Sequence, residues 1–422
     1  MTTYPPRILL ADADAFFVAV ARIADPDGAG RAPLLIVGGR PGSRGVVCSA
    51  SYETRAFGVR SAMPISRALR LCPDAMCVPV PRDACAGASR AIRRILERFS
   101  PSVEGASIDE WYVDLTGTET LYRHEPLEAT ARRIRQTVLD EVHMSISVGG
   151  GANRLLAKLA AERAKPTRTP GADGVFIVPE GAELEFMRTV ALAEIPGIGP
   201  KLQATLLALG LSKASDVLPH ELATLERWMG AKTAEWLHGR VRGIGHSAVQ
   251  ARAPARQMSR EETFGRDIGD PAKLASELRH LCAMVAADMR SEGLAARTIG
   301  VKLRAHDFAT RTASRTLREP VESDRAVTDT ALELLGKLRR DRDVRARLVG
   351  VALSNFSPAR DAEQISMFGA GGPAVDAPER AVDRELSRAV DRVRARFGDA
   401  AIRTGPPRRI PIGEKGARKP RG

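Results

Sequence analysis

Two short apolar runs, 97 positions apart, each meet acidic residues. Arg7–Ala11 (RILLA) reads as a buried strand that delivers Asp12 at its C-terminal end. The second run, SIDEWYVDL, opens with the adjacent pair Asp109–Glu110. Neighbouring side chains on a strand point to opposite faces, so a shared site requires this pair to sit at a hairpin turn. PSVEGAS before it, with Gly105 and Ser107, permits that turn. Clustered carboxylates repel one another and need a counter-charge. Oxygen-only donors of this kind suit Mg²⁺, and two such ions about 3.5–4 Å apart clamp the attacking and leaving oxygens of a phosphoryl displacement. For any single D-x-D, capping of a helix or turn is the better reading, so the acids by themselves are a weak signal.

The rest of the chain mixes strands and helices without a regular βαβ rhythm, which favours an α+β fold. Pro33–Val37 and Gly45–Ser49 read as a hairpin across GGRPGSRG. Leu127, Ala131, Ile134, Val138 and Val142 mark one apolar helix face, Ser145–Val148 a strand, and GGGAN a turn into a helix starting near Arg154. From Gly181 to about Ile244 the pattern is helical, and 245–257 is polar, basic and Pro-containing, as in an interdomain linker. Beyond it lie a helix with Leu274, Leu278, Leu281 and Val285 inward, then strands at Thr298–Arg304, Ala309–Glu319 and Leu348–Phe356. In the first of these, Ile299, Val301 and Leu303 alternate with Gly300, Lys302 and Arg304, which predicts a sheet with a basic face. A last amphipathic helix is predicted to bury Val382, Leu386, Val390, Val393 and Phe397, ending at Gly398.

With 64 Lys and Arg against 51 Asp and Glu, the net charge of +13 suits a polyanionic partner. Every apolar run is broken before the roughly 18 residues of a membrane span, and the first ten residues hold no signal-peptide core, so a cytoplasmic protein without membrane contact is expected. The five cysteines include no Cys-x-x-Cys pair, which excludes structural zinc and fits reduced thiols. In SASYETRAFGVRS, Ser49, Tyr52 and Arg55 recur every three residues; with Ser51–Phe57 helical they share a face and can donate to a triphosphate, although an exposed helix face fits the spacing equally. Lys165, in AERAKP, is a further candidate phosphate cation or a solvated lysine at a helix end.

DADAFF, SYETRAFGVRSAMP, SIDEWYVDL and ANRLLAKLAAERAKP follow one another in the order and spacing of the Y-family DNA polymerases, and the match resembles the DNA polymerase IV branch from about Arg7 to Phe368. The resemblance implies a right-hand polymerase: palm at 7–18 and 79–180, small fingers at 19–78, helical thumb at 181–244, linker at 245–257, a C-terminal α/β little finger at 258–358 and a tail at 359–422. It implies that Asp12, Asp109 and Glu110, with the Ala13 carbonyl, hold two Mg²⁺ ions. Ser49, Tyr52, Arg55 and Lys165 match positions that bind the incoming dNTP, and Phe17 matches the steric gate against a ribose 2′-OH.

IPGIGPK resembles a helix-hairpin-helix, with Gly197, Gly199 and Lys201 at a DNA phosphate; Lys302 and Arg304 would meet the backbone of primer–template DNA. Gln364, Ile365, Ser366, Met367 and Phe368 (QISMF) resemble the peptide that docks on the sliding clamp, the beta subunit. A monomeric, error-prone translesion enzyme without a proofreading exonuclease is expected. The rivals are a catalytically silent accessory protein linking DNA to the clamp, disfavoured because all three acids are present, and a palm-fold nucleotidyl cyclase, which has no use for IPGIGPK or QISMF. Trp111 and the inserted TRTPGA after Lys165-Pro166 depart from the family pattern, and residues 370–422 have no assigned role.

Overall fold

In the computed structural model, residues 5–250, 255–340, 345–359, 379–398 and 401–402 are described. The contacts divide the chain into two units, Met1–Ala253 and Pro254–Gly422.

The first unit is built on a five-stranded sheet, in spatial order Val103–Gly105, Glu110–Asp114, Ile8–Ala13, Ile146–Gly151 and Val175–Ile177. Only the last pair is parallel. Ile8–Ala13 lies in the middle with every residue buried, which is why its sequence reads as a continuous apolar run. Leu9, Ala11 and Ala13 face the helices Arg82–Glu97 and Leu127–Val142. Ile8 and Leu10 face the helix Arg154–Ala164 with Tyr112 and Val249. Asp12, two residues on from Leu10, falls on this second side of the pleat.

GGGAN is not simply a turn: Gly149 and its two successors complete the Ile146–Gly151 strand. The reason is a close approach that only the fold reveals. A Cβ at Gly149 would lie 1.9 Å from the Ala161 backbone nitrogen and 2.4 Å from the Ala157 carbonyl oxygen. Backbone cannot yield as a side-chain end can, so Gly149→Ala is expected to cost roughly 3 kcal/mol or more, read as a lower urea midpoint at unchanged slope.

Around this sheet sit two smaller assemblies. Leu35–Gly38 pairs antiparallel with Val47–Ala50, as read from the sequence, and also parallel with Met76–Val78, a strand not expected there. Farther along, Glu183–Arg188, Pro200–Ala208, Ala214–Val217, Leu222–Met229 and Ala231–Arg240 are short α-helices around their own apolar cluster. Residues 245–250 are packed rather than loose, since Val249 is buried, its carbonyl accepts from Ser102 Oγ at 3.0 Å, and the Gln250 N–H donates to Glu104 at 3.1 Å.

The second unit is a four-stranded antiparallel sheet in the order Thr310–Val321, Leu294–Ala305, Ala346–Pro358, Gln257–Ile268. Helices Pro271–Ser291 and Asp324–Arg340 share one core with it. The predicted Leu274, Leu278, Leu281 and Val285 are all buried there. Gln257–Ile268 is an edge strand, mostly exposed and rich in charged residues, where the sequence predicts a linker ending at Gln257 and no strand over 258–268.

The final helix spans Ala381–Phe397 and stops at Gly398, which has a positive φ of 88°. The expected burial is corrected: of the five apolar positions only Val390 is buried, and Val382, Leu386 and Phe397 are exposed. The clamp-like peptide Gln364–Phe368 lies outside the described residues.

Candidate active site

Asp12 is opposite Glu110 in the register of the central pair of strands. Asp109 is the residue before that strand, in the turn from Val103–Gly105, and its carbonyl accepts from the Ala13 N–H at 2.9 Å. The hairpin turn required by the sequence therefore exists, and it sets Asp109 beside the strand end that carries Asp12 and Glu110. Asp109 accepts a short hydrogen bond from Ser107 Oγ.

Each strand carboxylate faces a lysine from the same helix. Lys165 Nζ lies 2.8 Å from Asp12 Oδ2 and 2.9 Å from Glu162 Oε1. Lys158 Nζ donates to both oxygens of Glu110, at 2.7 and 2.8 Å. Burial raises the Asp12 pKa to about 6, outweighing the Lys165 ammonium that opposes the shift. Burial pulls both lysines down, but their carboxylate partners win and hold each above its ordinary value.

These lysines supply the counter-charge that clustered acids need. Lys158 was missed from the sequence, although its seven-residue spacing from Lys165 puts the two on one helix side, two turns apart. The inserted TRTPGA does not displace Lys165: it starts a turn in which the Lys165 carbonyl accepts from the Arg168 and Thr169 N–H groups at 3.0 Å each.

Asp14, the second acid of DADAFF, is engaged differently. Its carboxylate accepts from Ser145 Oγ at 2.7 Å and Ser147 Oγ at 2.8 Å, which ties the strand end to its neighbour. Ala15 then turns through a left-handed conformation (φ 47°) and starts the helix Phe16–Ala24. Phe16 is core, while Phe17 is half-buried beside it, edge to face at 5.4 Å between centroids. Trp111 is almost fully buried among the core residues of the sheet, so this large side chain is accommodated by packing beneath the acids.

Ser49, Tyr52 and Arg55 are brought together, but not on one helix face. The helix is only Tyr52–Ala56, capped by Ser51, and Ser49 belongs to the preceding strand Val47–Ala50. The Arg55 guanidinium sits 4.9 Å from the Tyr52 ring centre and 3.5 Å from Ser49 Oγ, and its Nε donates to the Ala50 carbonyl at 2.9 Å.

Gly197 has φ 104°, and a Cβ there would strike the Trp236 ring at 2.7 Å, so this hairpin demands glycine. Gly199 caps the helix Pro200–Ala208, and Lys201 is exposed in its first turn. In the second unit Lys302 is paired with Glu261, and Arg304 donates to Thr310 Oγ1 at 2.9 Å. The sheet face they share also carries Thr298, Gly300, Thr312, Ser314, Gly350 and Ala352. It is therefore a small-residue, hydroxyl-rich surface with a depression of about 250 Å³, not the simply basic face expected.

Residues 11–162 match the family model described as the impB/mucB/samB family, and residues 255–367 match that of its C-terminal domain. DNA polymerase IV of Dehalococcoides mccartyi (strain CBDB1) is 33% identical over 94% of this chain and 97% of its own. That of Gluconobacter oxydans is 36% identical over 84% and 96%. This chain belongs to the Y-family DNA polymerases, in the DNA polymerase IV branch. A solved Y-family DNA polymerase chimera of Dbh and Dpo4 superposes with a TM-score of 0.72 at 26% identity, covering 83% of this chain and 98% of the other. DinB from Sulfolobus solfataricus gives 0.56 at 25%, covering 82% and 98%. The protein is thus a DNA-directed, translesion DNA polymerase with an α+β polymerase fold.

Among the described residues, no three His, Cys, Asp or Glu side chains stand close enough to hold a metal ion as they are placed. The donor set nevertheless suits a divalent cation: carboxylate oxygens only, with each strand acid held by an ammonium whose place a cation can take. No described helix is long and apolar enough to cross a membrane.

Proposed function

We propose that this polymerase adds dNTPs to a primer 3′-OH by two-metal nucleotidyl transfer, with Asp12, Asp109, Glu110 and the Ala13 carbonyl holding two Mg²⁺ ions. When bound, these ions would neutralise charge on the attacking and leaving oxygens. The observation that carries the reading is the direct pairing of Asp12 with Glu110 across the strands, with Asp109 at the adjoining turn and Lys165 and Lys158 opposite. With cations on these carboxylates, Lys165 and Lys158 would be freed of their acid partners. Lys165 would then be able to meet the triphosphate, together with Arg55, Tyr52 and Ser49. Arg55 suits this task because stacking on Tyr52 and its bond to the Ala50 carbonyl fix the fork before substrate arrives. Gly197, Gly199 and Lys201 would take a DNA phosphate at a helix N-terminus, and Lys302 and Arg304 the backbone farther along. Gln364–Phe368 would tether the enzyme to the sliding clamp. The enzyme would work without a proofreading exonuclease, so misincorporated bases would persist.

The direct test is primer extension with Mg²⁺ and dNTPs on an undamaged template, beside Asp109→Ala. Extension by the parent and a loss of about 10³-fold or more in the variant are expected. Equal activity in both overturns the site; no extension by either, with DNA binding intact, favours the accessory-protein reading. The gate is tested separately. Phe17→Ala is expected to raise ribonucleotide incorporation relative to deoxynucleotide by roughly 10²-fold or more, since only contact with the 2′ position distinguishes the two. An unchanged ratio removes Phe17 from that role.

A further inference from the structure

The helix Ala381–Phe397, beyond the segment matched by the family models, is docked by its polar side. Arg290, whose side chain is 5% exposed, donates to Asp391 at 2.7 and 3.0 Å and pairs with Asp324 at 2.9 Å. Glu322, 4% exposed, pairs with Arg388 at 2.8 Å. Ser387 Oγ accepts from the Asp324 N–H at 3.0 Å, and Glu379, just before the helix, accepts from the Glu322 N–H at 2.9 Å. The apolar side is left outward: Val382, Leu386 and Phe397 are 70%, 61% and 67% exposed, with Ala389 and Val393 half-buried between them. Steps of four, three, four and four residues make one continuous stripe, the spacing by which helices pack along a seam.

We propose that this stripe is the docking surface for a second copy of the chain, through the same helix running antiparallel. The charges beside the stripe choose this occupant. Glu385 and Arg392 are both exposed on one flank. An antiparallel pair that sets Leu386 against Ala389 and Val382 against Val393 brings Glu385 of each copy to Arg392 of the other, twice. In a parallel pair this flank faces the opposite flank of the partner helix, so Glu385 and Arg392 do not meet. The surface is self-complementary about a two-fold axis, as an isologous contact requires. An interface of two helices of this length lies at the small end of specific contacts, which points to a dissociation constant on the order of micromolar. The inference is independent of the catalytic reading and departs from the monomer expected from the sequence.

Sedimentation velocity of the full chain, over about 1–100 µM, reads the association directly. A concentration-dependent shift from monomer to dimer is expected. Leu386→Glu should abolish it while leaving the melting curve and primer extension unchanged. Glu385→Arg and Arg392→Glu should each weaken it about fivefold, and the double variant should restore it. A monomer at every concentration, as when the stripe is covered by the chain's own segments or serves another protein, overturns the proposal. So does a double variant no tighter than the singles.

Discussion

Asp12→Asn yields a protein that melts at a higher temperature than the parent without metal and makes no primer-extension product. The stability gain follows from the buried carboxyl. Its pKa rises from 3.8 to about 6 on folding, so between these values the folded chain binds more protons than the unfolded one, and stability falls as pH rises through that window. The shift is about 2 units, worth about 3 kcal/mol at most above pH 7. Asparagine keeps the shape without the charge, and Lys165 retains Glu162 at 2.9 Å. An increase of about 5 °C is expected at pH 8 in chelator. The two proteins converge near pH 4, where both side chains are neutral. Mg²⁺ should raise the melting temperature of the parent and not of the variant, while activity falls by about 10³-fold or more. A variant less stable than the parent at pH 8 would show that the Lys165 pair outweighs the burial of Asp12.

That conflict between stability and chemistry explains which parts of the site were legible in sequence. The acids could be read because they interrupt apolar runs at strand ends, and a hairpin was the only local geometry that lets adjacent Asp109 and Glu110 serve one site. Lys158 could not be read in the same way. Its role depends on the register that sets Glu110 beside Asp12, and on a helix pressed so close to Gly149 that no Cβ fits between them. Glycines in sequence signal turns, and here they signal a contact with a helix that follows them by only a few residues.

Ser49 illustrates the same limit at shorter range. Three-residue spacing suggested a shared helical face with Tyr52 and Arg55, whereas Ser49 is a strand residue that the Ser51 cap brings round to them. The edge strand Gln257–Ile268 was hidden because its mostly exposed residues show too little apolar alternation to read as a strand. The last helix misled for a different reason. Its apolar periodicity was legible, but periodicity states only that one side differs from the other, and buried ion pairs on the polar side decided which one faces the protein.

Those ion pairs make the C-terminal helix part of the unit it lies on. A chain ending at residue 378 is expected to lose about 3–5 kcal/mol of stability in the second unit. Removal strands Arg290 without Asp391 and Glu322 without Arg388, both nearly fully buried. It also deprives the Glu322 and Asp324 N–H groups of Glu379 and Ser387, which cap the entry to the helix Asp324–Arg340 from outside its own segment. Asp324 would keep its pairing with Arg290 at 2.9 Å, so one buried cation retains one of its two acids. The loss therefore falls mainly on Glu322, whose partners Arg388 and Arg384 both leave with the helix, and Glu322→Gln in the truncated chain should recover part of it by removing the unpaired charge. Thermal denaturation of full-length, truncated and truncated Glu322→Gln chains gives the order expected: highest, lowest, intermediate. Equal melting of the first two would mean that the helix rests on the surface without carrying load, and that the charges beneath it are satisfied by water.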